Sequence, residues 1–251
     1  MSAQALLQVN DLVKQFGALR ATDHVTLDVQ SGEIHALIGP NGAGKTSLVA
    51  QLSGHLPSDQ GQIFFDGQDI TAMPTHERVK RGLARSFQIT RLFKSFTVLD
   101  NVALSVQARS GHSFSFWRPV RSEKDLVDQA MAVLQDLGLR DRAQDPASEL
   151  SHGEQRVLEL GLAVATQPKL LLLDEPMAGA GPVESERIVK LIQQLRRQVS
   201  ILLIEHDMDA VFRLADRISV LVNGALIATG TPEAIRNNPQ VIAAYLGEEH
   251  A

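Results

Sequence analysis

The stretch Gly39-Pro40-Asn41-Gly42-Ala43-Gly44-Lys45-Thr46 leaves this chain few folds to choose from. It fits G-x-x-x-x-G-K-[ST], the phosphate-binding P-loop, which needs a strand before it and a helix after it. Both flanks comply: Glu33-Ile34-His35-Ala36-Leu37-Ile38 reads as a strand and residues 46–52 as a helix. Glycines let successive backbone N–H groups turn inward onto a polyphosphate. The helix N-terminus adds partial positive charge. Residues Gly39, Pro40, Asn41, Gly42, Ala43 and Gly44 form the expected cradle, with Ser47 in the same nucleotide-binding set. Lys45 is placed to reach the β- and γ-phosphates, and the Thr46 hydroxyl to ligate Mg²⁺. A Gly-rich turn that matches by chance is the competing reading, and the flanking strand and helix argue against it. A nucleoside triphosphate is the expected ligand.

Before the loop, residues 6–9 and 24–29 read as strands, the second alternating as a half-buried antiparallel strand does. Phe16 falls between them in an expected loop. Its ring could stack on a purine base or serve as an ordinary core or turn aromatic, and the sequence alone favours the second. After the loop, residues 61–70 read as a strand with an Asp66-Gly67 turn. Pro74 suits the first position of a short helix through Arg81. Residues 82–88 return as a strand.

From 89 to 150 the pattern turns helical. Thr97 is a plausible cap for one helix, and Leu126, Ala130, Val133, Leu134 and Leu137 recur at helical spacing on a second that Gly138 ends. Between them, residues 111–119 hold the only Trp and two of the nine Phe, read as a loop folded on its own aromatics or as a contact surface. Ser151 opens a further helix, and Ser151 with Glu154 has the spacing of a capping box.

Two apolar runs follow, Leu170-Leu171-Leu172-Leu173-Asp174-Glu175 and Ser200-Ile201-Leu202-Leu203-Ile204-Glu205-His206. Each reads as a buried parallel strand ending in polar groups. Ligands of such sheets bind beyond the carboxyl ends of the strands, so these groups should meet the P-loop. Asp174 is then the acid that holds Mg²⁺, Glu175 polarises a water for attack on the γ-phosphate, and His206 contacts that phosphate. Gln88, at another strand end, is unremarkable by itself. A hairpin around Asn223-Gly224 and two short helices from Thr231 close the chain.

Composition narrows the partners. A net charge of −5 and a pI near 5.9 argue against the basic footprint of nucleic-acid binding. There are no cysteines, which excludes disulfides and thiolate metal sites. No signal peptide and no membrane span is expected, so a membrane role would come through a partner.

Assembled in order, these residues resemble the ATP-binding cassette (ABC) transporter ATPase subunits over nearly the whole chain. The decisive stretch is Leu150-Ser151-His152-Gly153-Glu154-Gln155, similar to the family signature between the helical insertion and the Walker B strand. The resemblance implies an α/β fold: a RecA-like P-loop core with a mixed sheet (1–88 and 151–224), a small antiparallel β subdomain, an inserted α-helical subdomain (89–150), and a hairpin strand with a helical tail (225–251). It implies that Phe16 takes the adenine-stacking position and that Gln88 links Mg²⁺ and the γ-phosphate to the helical subdomain. It implies that Ser151, Gly153 and Glu154 bind the ATP of an opposing subunit in a head-to-tail dimer. Lys45, Glu175 and His206 would carry catalysis.

Residues 85–93, 203–208 and 237–247 resemble one branch, the importers of branched-chain amino acids, with urea and short-chain amide importers sharing much of the pattern. The loop Pro176-Met177-Ala178-Gly179-Ala180-Gly181-Pro182 departs from the family's Ser-Ala-Leu-Asp form, so the aspartate's contact across the dimer cannot be carried over. The resemblance further implies ATP and Mg²⁺, a second ATPase subunit, two membrane permeases, indirectly a substrate-binding protein, no nucleic acid, and a peripheral place on the cytoplasmic face of the membrane. A soluble cassette ATPase of DNA repair or translation would usually show a coiled-coil insertion or a second cassette. A kinase or GTPase would not need the signature or the switch histidine.

Overall fold

The structure, a computed structural model, describes residues 5–86, 92–109 and 124–246. In chain order, β1 (Leu7–Phe16) and β2 (Leu19–Val29) form a hairpin, and β3 (Ile34–Ile38) leads into the P-loop and α1 (Lys45–Leu52). Then come β4 (Gln60–Phe65), β5 (Gln68–Asp69), α2 (Thr75–Lys80) and β6 (Leu83–Arg85). Helices α3 (Val98–Arg109), α4 (Lys124–Asp136) and α5 (His152–Ala165) precede β7 (Leu170–Asp174), α6 (Pro182–Leu195) and β8 (Ser200–Ile204). The chain finishes with α7 (Met208–Leu214), β9 (Arg217–Val222), β10 (Ala225–Gly230), α8 (Pro232–Arg236) and α9 (Pro239–Leu246).

The strands make two sheets. One is antiparallel, in the order β2-β1-β4-β5; the other is mixed, in the order β10-β9-β3-β8-β7-β6, with only β10 antiparallel to its neighbour. The unbroken leucine run of β7 follows from burial on both faces. Leu170 and Leu172 pack with Leu37, Leu202, α1 and the antiparallel sheet. Leu171 and Leu173 face the other way, into a cluster with Ile201, Leu203 and the helices α3 to α6. A strand solvated on one face would have had to alternate.

Turn chemistry explains the hairpins. Asp66 and Gly67 (φ 50° and 74°) and Asn223 and Gly224 (φ 48° and 82°) all take the left-handed conformation that two-residue hairpins require. Thr97 caps α3 as expected, its Oγ1 accepting from the Asp100 N–H at 3.0 Å. Gly138, at φ 65°, follows α4.

Several expected boundaries move. The run at 6–9 continues through the polar residues to Phe16, because β1 is an inner strand whose register shifts absorb them. Phe16 is therefore the end of a strand and not a loop residue. Pro74 caps α2 instead of starting it. The strand expected over 82–88 is β6, which ends at Arg85; Gln88 and the aromatic stretch 111–119 lie outside the described residues.

A buried arginine supports the P-loop helix from below. Arg78 is 2% exposed and donates to the carbonyls of Gln51 and Leu52 at the C-terminus of α1, and to those of Thr71 and Met73. Burial pulls its guanidinium down to about 10, so it remains cationic at neutral pH and complements the negative end of the helix dipole.

Candidate functional site

The sheet order brings three of the expected groups together. β3, β8 and β7 are adjacent and parallel, so the P-loop, His206 and Glu175 leave the same edge. A cleft of about 480 Å³ opens there, walled by Asn41 to Ser47, Glu175 and His206. Leu19, Arg20 and Ala21 of β2 and Asn223 of the last hairpin complete the wall.

The P-loop glycines are demanded by contact as well as conformation. A Cβ on Gly39 would lie 2.0 Å from the Leu221 carbonyl oxygen, and one on Gly44 (φ 103°) 2.0 Å from that of Ala21. The loop is thus pressed against β9 and β2. No side chain caps the start of α1. Lys45 is buried and donates to the carbonyls of Gly39 (2.5 Å) and Pro40 (2.9 Å), folding back over its own loop. Thr46 is exposed to the cleft.

Across the cleft, Glu175 Oε1 and His206 Nε2 are hydrogen-bonded at 2.5 Å, with the side chains 23% and 43% exposed. The pair can accept and return a proton at a water held between it and the P-loop. Glu175 has φ 50°, a left-handed conformation that costs a side chain about 1–2 kcal/mol. Such strain persists only where surrounding contacts hold it.

Asp174 is nearly sealed, its side chain 2% exposed, and Oδ2 accepts from Arg85 Nη2 at 2.6 Å. Sequence reasoning gave Arg85 no role. Both residues end neighbouring parallel strands, which is the signal that was available. Removing one partner of such a buried pair typically costs about 3–5 kcal/mol.

Two further groups went unrecognised. Glu205, 3% exposed, accepts from the N–H of Met177 (2.7 Å) and of His206 (3.0 Å). Arg156 of α5 donates to the carbonyls of Glu175, Pro176 and Ala178.

The remaining expected residues are elsewhere. Phe16 is 48% exposed, pairs with the cleft residue Leu19 across the hairpin, and carries the Lys14 ammonium 5.5 Å from its ring centroid. It is not in the cleft wall itself. Ser151 and Glu154 form a complete capping box. Ser151 Oγ accepts from the Glu154 N–H at 3.3 Å, and Glu154 Oε2 accepts from the Ser151 N–H at 2.9 Å. That backbone hydrogen bond is the main reason the Glu154 carboxyl is held below its usual range, with Arg142 adding to it. Gly153 lines a separate pocket with Ala178, Gly179 and Glu184, and a Cβ there would lie 2.6 Å from Glu184 Oε1.

The donor chemistry suits a hard cation. Thr46 and Asp174 offer oxygen, and no cluster of three or more His, Cys, Asp or Glu able to hold a metal occurs among the described residues. Proteins commonly hold Mg²⁺ through one or two carboxylates together with substrate phosphates.

Comparison with known proteins fits this geometry. Residues 22–178 match the family described as "ABC transporter", and residues 225–251 that described as "Branched-chain amino acid ATP-binding cassette transporter". The high-affinity branched-chain amino acid transport ATP-binding protein LivG of Escherichia coli (strain K12) is 42% identical, the match covering 98% of this chain and 99% of that protein. The corresponding BraF protein of Pseudomonas aeruginosa is 40% identical over the same shares. Among solved structures, an ATP-binding cassette of an ABC transporter in its ADP conformation superposes with a TM-score of 0.86 at 31% identity, over 97% of this chain and 99% of that one. A nucleotide-free cassette gives 0.84 at 31% identity, over 96% and 99%.

Proposed function

The chain belongs to the ABC transporter family and is a transport ATPase, and from that premise we propose that it drives import of branched-chain amino acids. The observation that carries the catalytic reading is the Glu175–His206 pair facing the P-loop across one cleft. The relatives' role in branched-chain amino acid transport supports the choice of substrate.

In this reading the 39–44 backbone and the start of α1 receive the phosphates, and Phe16 stacks on the adenine. Lys45 exchanges its two loop carbonyls for β- and γ-phosphate oxygens. Thr46, Asp174 and Gln88 would hold Mg²⁺, which when bound neutralises charge growing on the phosphate oxygens. Glu175 orients a water and takes its proton as the water attacks the γ-phosphorus, while the bond to the β–γ bridging oxygen breaks and ADP leaves. His206 Nε2 aims the Glu175 carboxylate and, with ATP bound, would turn its N–H to the γ-phosphate.

The working unit is a pair of such subunits on the cytoplasmic face of the membrane, with two permeases and indirectly a substrate-binding protein. Ser151, Gly153 and Glu154 would close over the nucleotide held by the opposing subunit. No helix among the described residues is long and apolar enough to cross a membrane. An apolar groove of about 260 Å³, lined by Val79, Phe93, Leu162 and Ala163, offers the permease a seat between core and helices.

Two measurements test this. Glu175→Gln should bind ATP normally and lose hydrolysis by at least about 100-fold; normal turnover would remove Glu175 from the mechanism. Cells expressing the chain together with two permeases that bind it should take up labelled leucine. Uptake of urea or acetamide instead would move the protein to the amide importers.

A further inference from the structure

The loop that carries Glu175 is held from two sides by groups that do not line the P-loop cleft. From the sheet side, Glu205 at the end of β8 accepts from the Met177 N–H at 2.7 Å and from the His206 N–H at 3.0 Å. One carboxylate thus ties the backbone beside one half of the Glu175–His206 pair to the backbone of the other half. From the helix side, the Arg156 guanidinium donates to the carbonyls of Pro176 (2.9 Å), Glu175 (2.8 Å) and Ala178 (3.2 Å). A planar fork can span three carbonyls of one tight turn in a way a single ammonium cannot.

The loop needs both. Glu175 stands at φ 50°, and its own N–H is bonded to Ile204 O at 2.9 Å. Met177 is 6% exposed, so without Glu205 its N–H would be buried and unmatched.

We propose that Arg156 and Glu205 are positioning residues for hydrolysis: together they fix the 175–178 turn so that the Glu175 carboxylate meets His206, and Arg156 makes that turn follow α5. The proposal rests on the assignment of Glu175 as the water-activating group. Its consequence is mechanical. Ser151 caps the same helix five residues earlier, so any shift of that end on meeting a second subunit reaches the catalytic carboxylate through one side chain.

The test compares full-length Arg156→Ala, Arg156→Lys, Glu205→Ala and Glu205→Gln with Glu175→Gln, reading kcat, affinity for a fluorescent ATP analogue, and Tm. Both alanine variants should lose about 10- to 100-fold in kcat, the effect of a displacement near 1 Å. Analogue affinity should stay within about 3-fold, since the lost interaction is used in the transition state and not in ground-state binding. The conservative variants should recover part of kcat. Lys keeps one donor point, and Gln keeps an acceptor for the Met177 N–H while opposing that of His206. The double alanine variant should be little worse than either single one, because both act through one turn.

Unchanged kcat in both alanine variants overturns the proposal, as does an equal fall in affinity and kcat, which would mark a merely structural role. If the alanine variants do not fold, the Lys and Gln variants decide: reduced kcat at unchanged affinity and Tm supports it, and wild-type kcat overturns it. An active Glu175→Gln would instead remove the assignment beneath the proposal. An inactive Glu175→Gln beside fully active Arg156 and Glu205 variants would remove the clamp alone.

Discussion

Two helices begin near the chemistry, and they begin in opposite ways. α1 starts at Gly44 in a left-handed conformation, with no side chain over its first turn and a cleft in front of it. α5 starts at Ser151 inside a reciprocal box, Ser151 and Glu154 each accepting a backbone N–H of the other. The four leading N–H groups of any helix need partners. At α1 the chain withholds them, so an anion is the natural partner. At α5 the chain itself supplies partners for two of them, the N–H groups of Ser151 and Glu154. A nucleotide reaching α5 must add to the box or compete with it.

The largest expected effect removes the first kind of start. Gly44→Ala puts a Cβ 2.0 Å from the Ala21 carbonyl at φ 103°, and should cost about 3–5 kcal/mol, read as a shifted denaturant midpoint. A midpoint like that of the wild type would mean that the α1 start is not constrained by β2. Next, Lys45→Met should leave the fold standing and weaken ATP binding about 100-fold, measured by calorimetry, as expected for losing a charged hydrogen-bonding group. Unaltered affinity would show that the backbone alone makes the anion site.

Ser151→Ala probes the other start. It should cost about 1 kcal/mol of stability by removing a cap, with ATP affinity of the separate subunit unchanged. An affinity loss would erase the contrast between the two helices.

The smallest effect belongs to a charge cluster away from both. Asp28 and Glu33 are pushed up by burial, yet both stay below their usual values, because Arg217 and Gln30 bond Asp28 and because His35 and Gln30 bond Glu33. Carboxylates lowered in this way stabilise the fold above their unfolded values of 3.8 and 4.5, and that stability is lost as pH falls through the lower folded values. Arg217→Met should therefore lower stability at pH 7, by about 1 kcal/mol or less because the groups are partly solvated. The gap to wild type should shrink below about pH 4. A gap independent of pH would mean that Arg217 acts by packing.

The contrast between regions also explains what the sequence could reveal. The P-loop was legible because its residues are contiguous and their spacing is itself the mechanism. Asp174, Glu175 and His206 were legible because apolar runs place them at strand ends, and parallel sheets collect ligands there. Arg85, Arg156 and Glu205 were not, although each makes hydrogen bonds at the site. Their partners lie 89, 19 and 28 residues away, and in a sequence an isolated charge reads as solvated surface. Phe16 reads as a loop residue because it falls between the strand-like runs 6–9 and 24–29. The structure carries the strand on through Lys14 and Gln15, with Asp59 accepting from Lys14 Nζ at 2.7 Å and the Gln15 N–H at 2.8 Å.

The neighbouring positions of β3, β8 and β7 act as a ruler. Parallel strands stand about 4.8 Å apart, so the phosphate loop and the Glu175 turn are set two such steps apart, roughly 9–10 Å, with His206 on the mark between them. Loop substitutions can turn a side chain on this scale but cannot change its graduations, which belong to the hydrogen-bond ladder. Redesign of this ATPase therefore has freedom in angle and almost none in span.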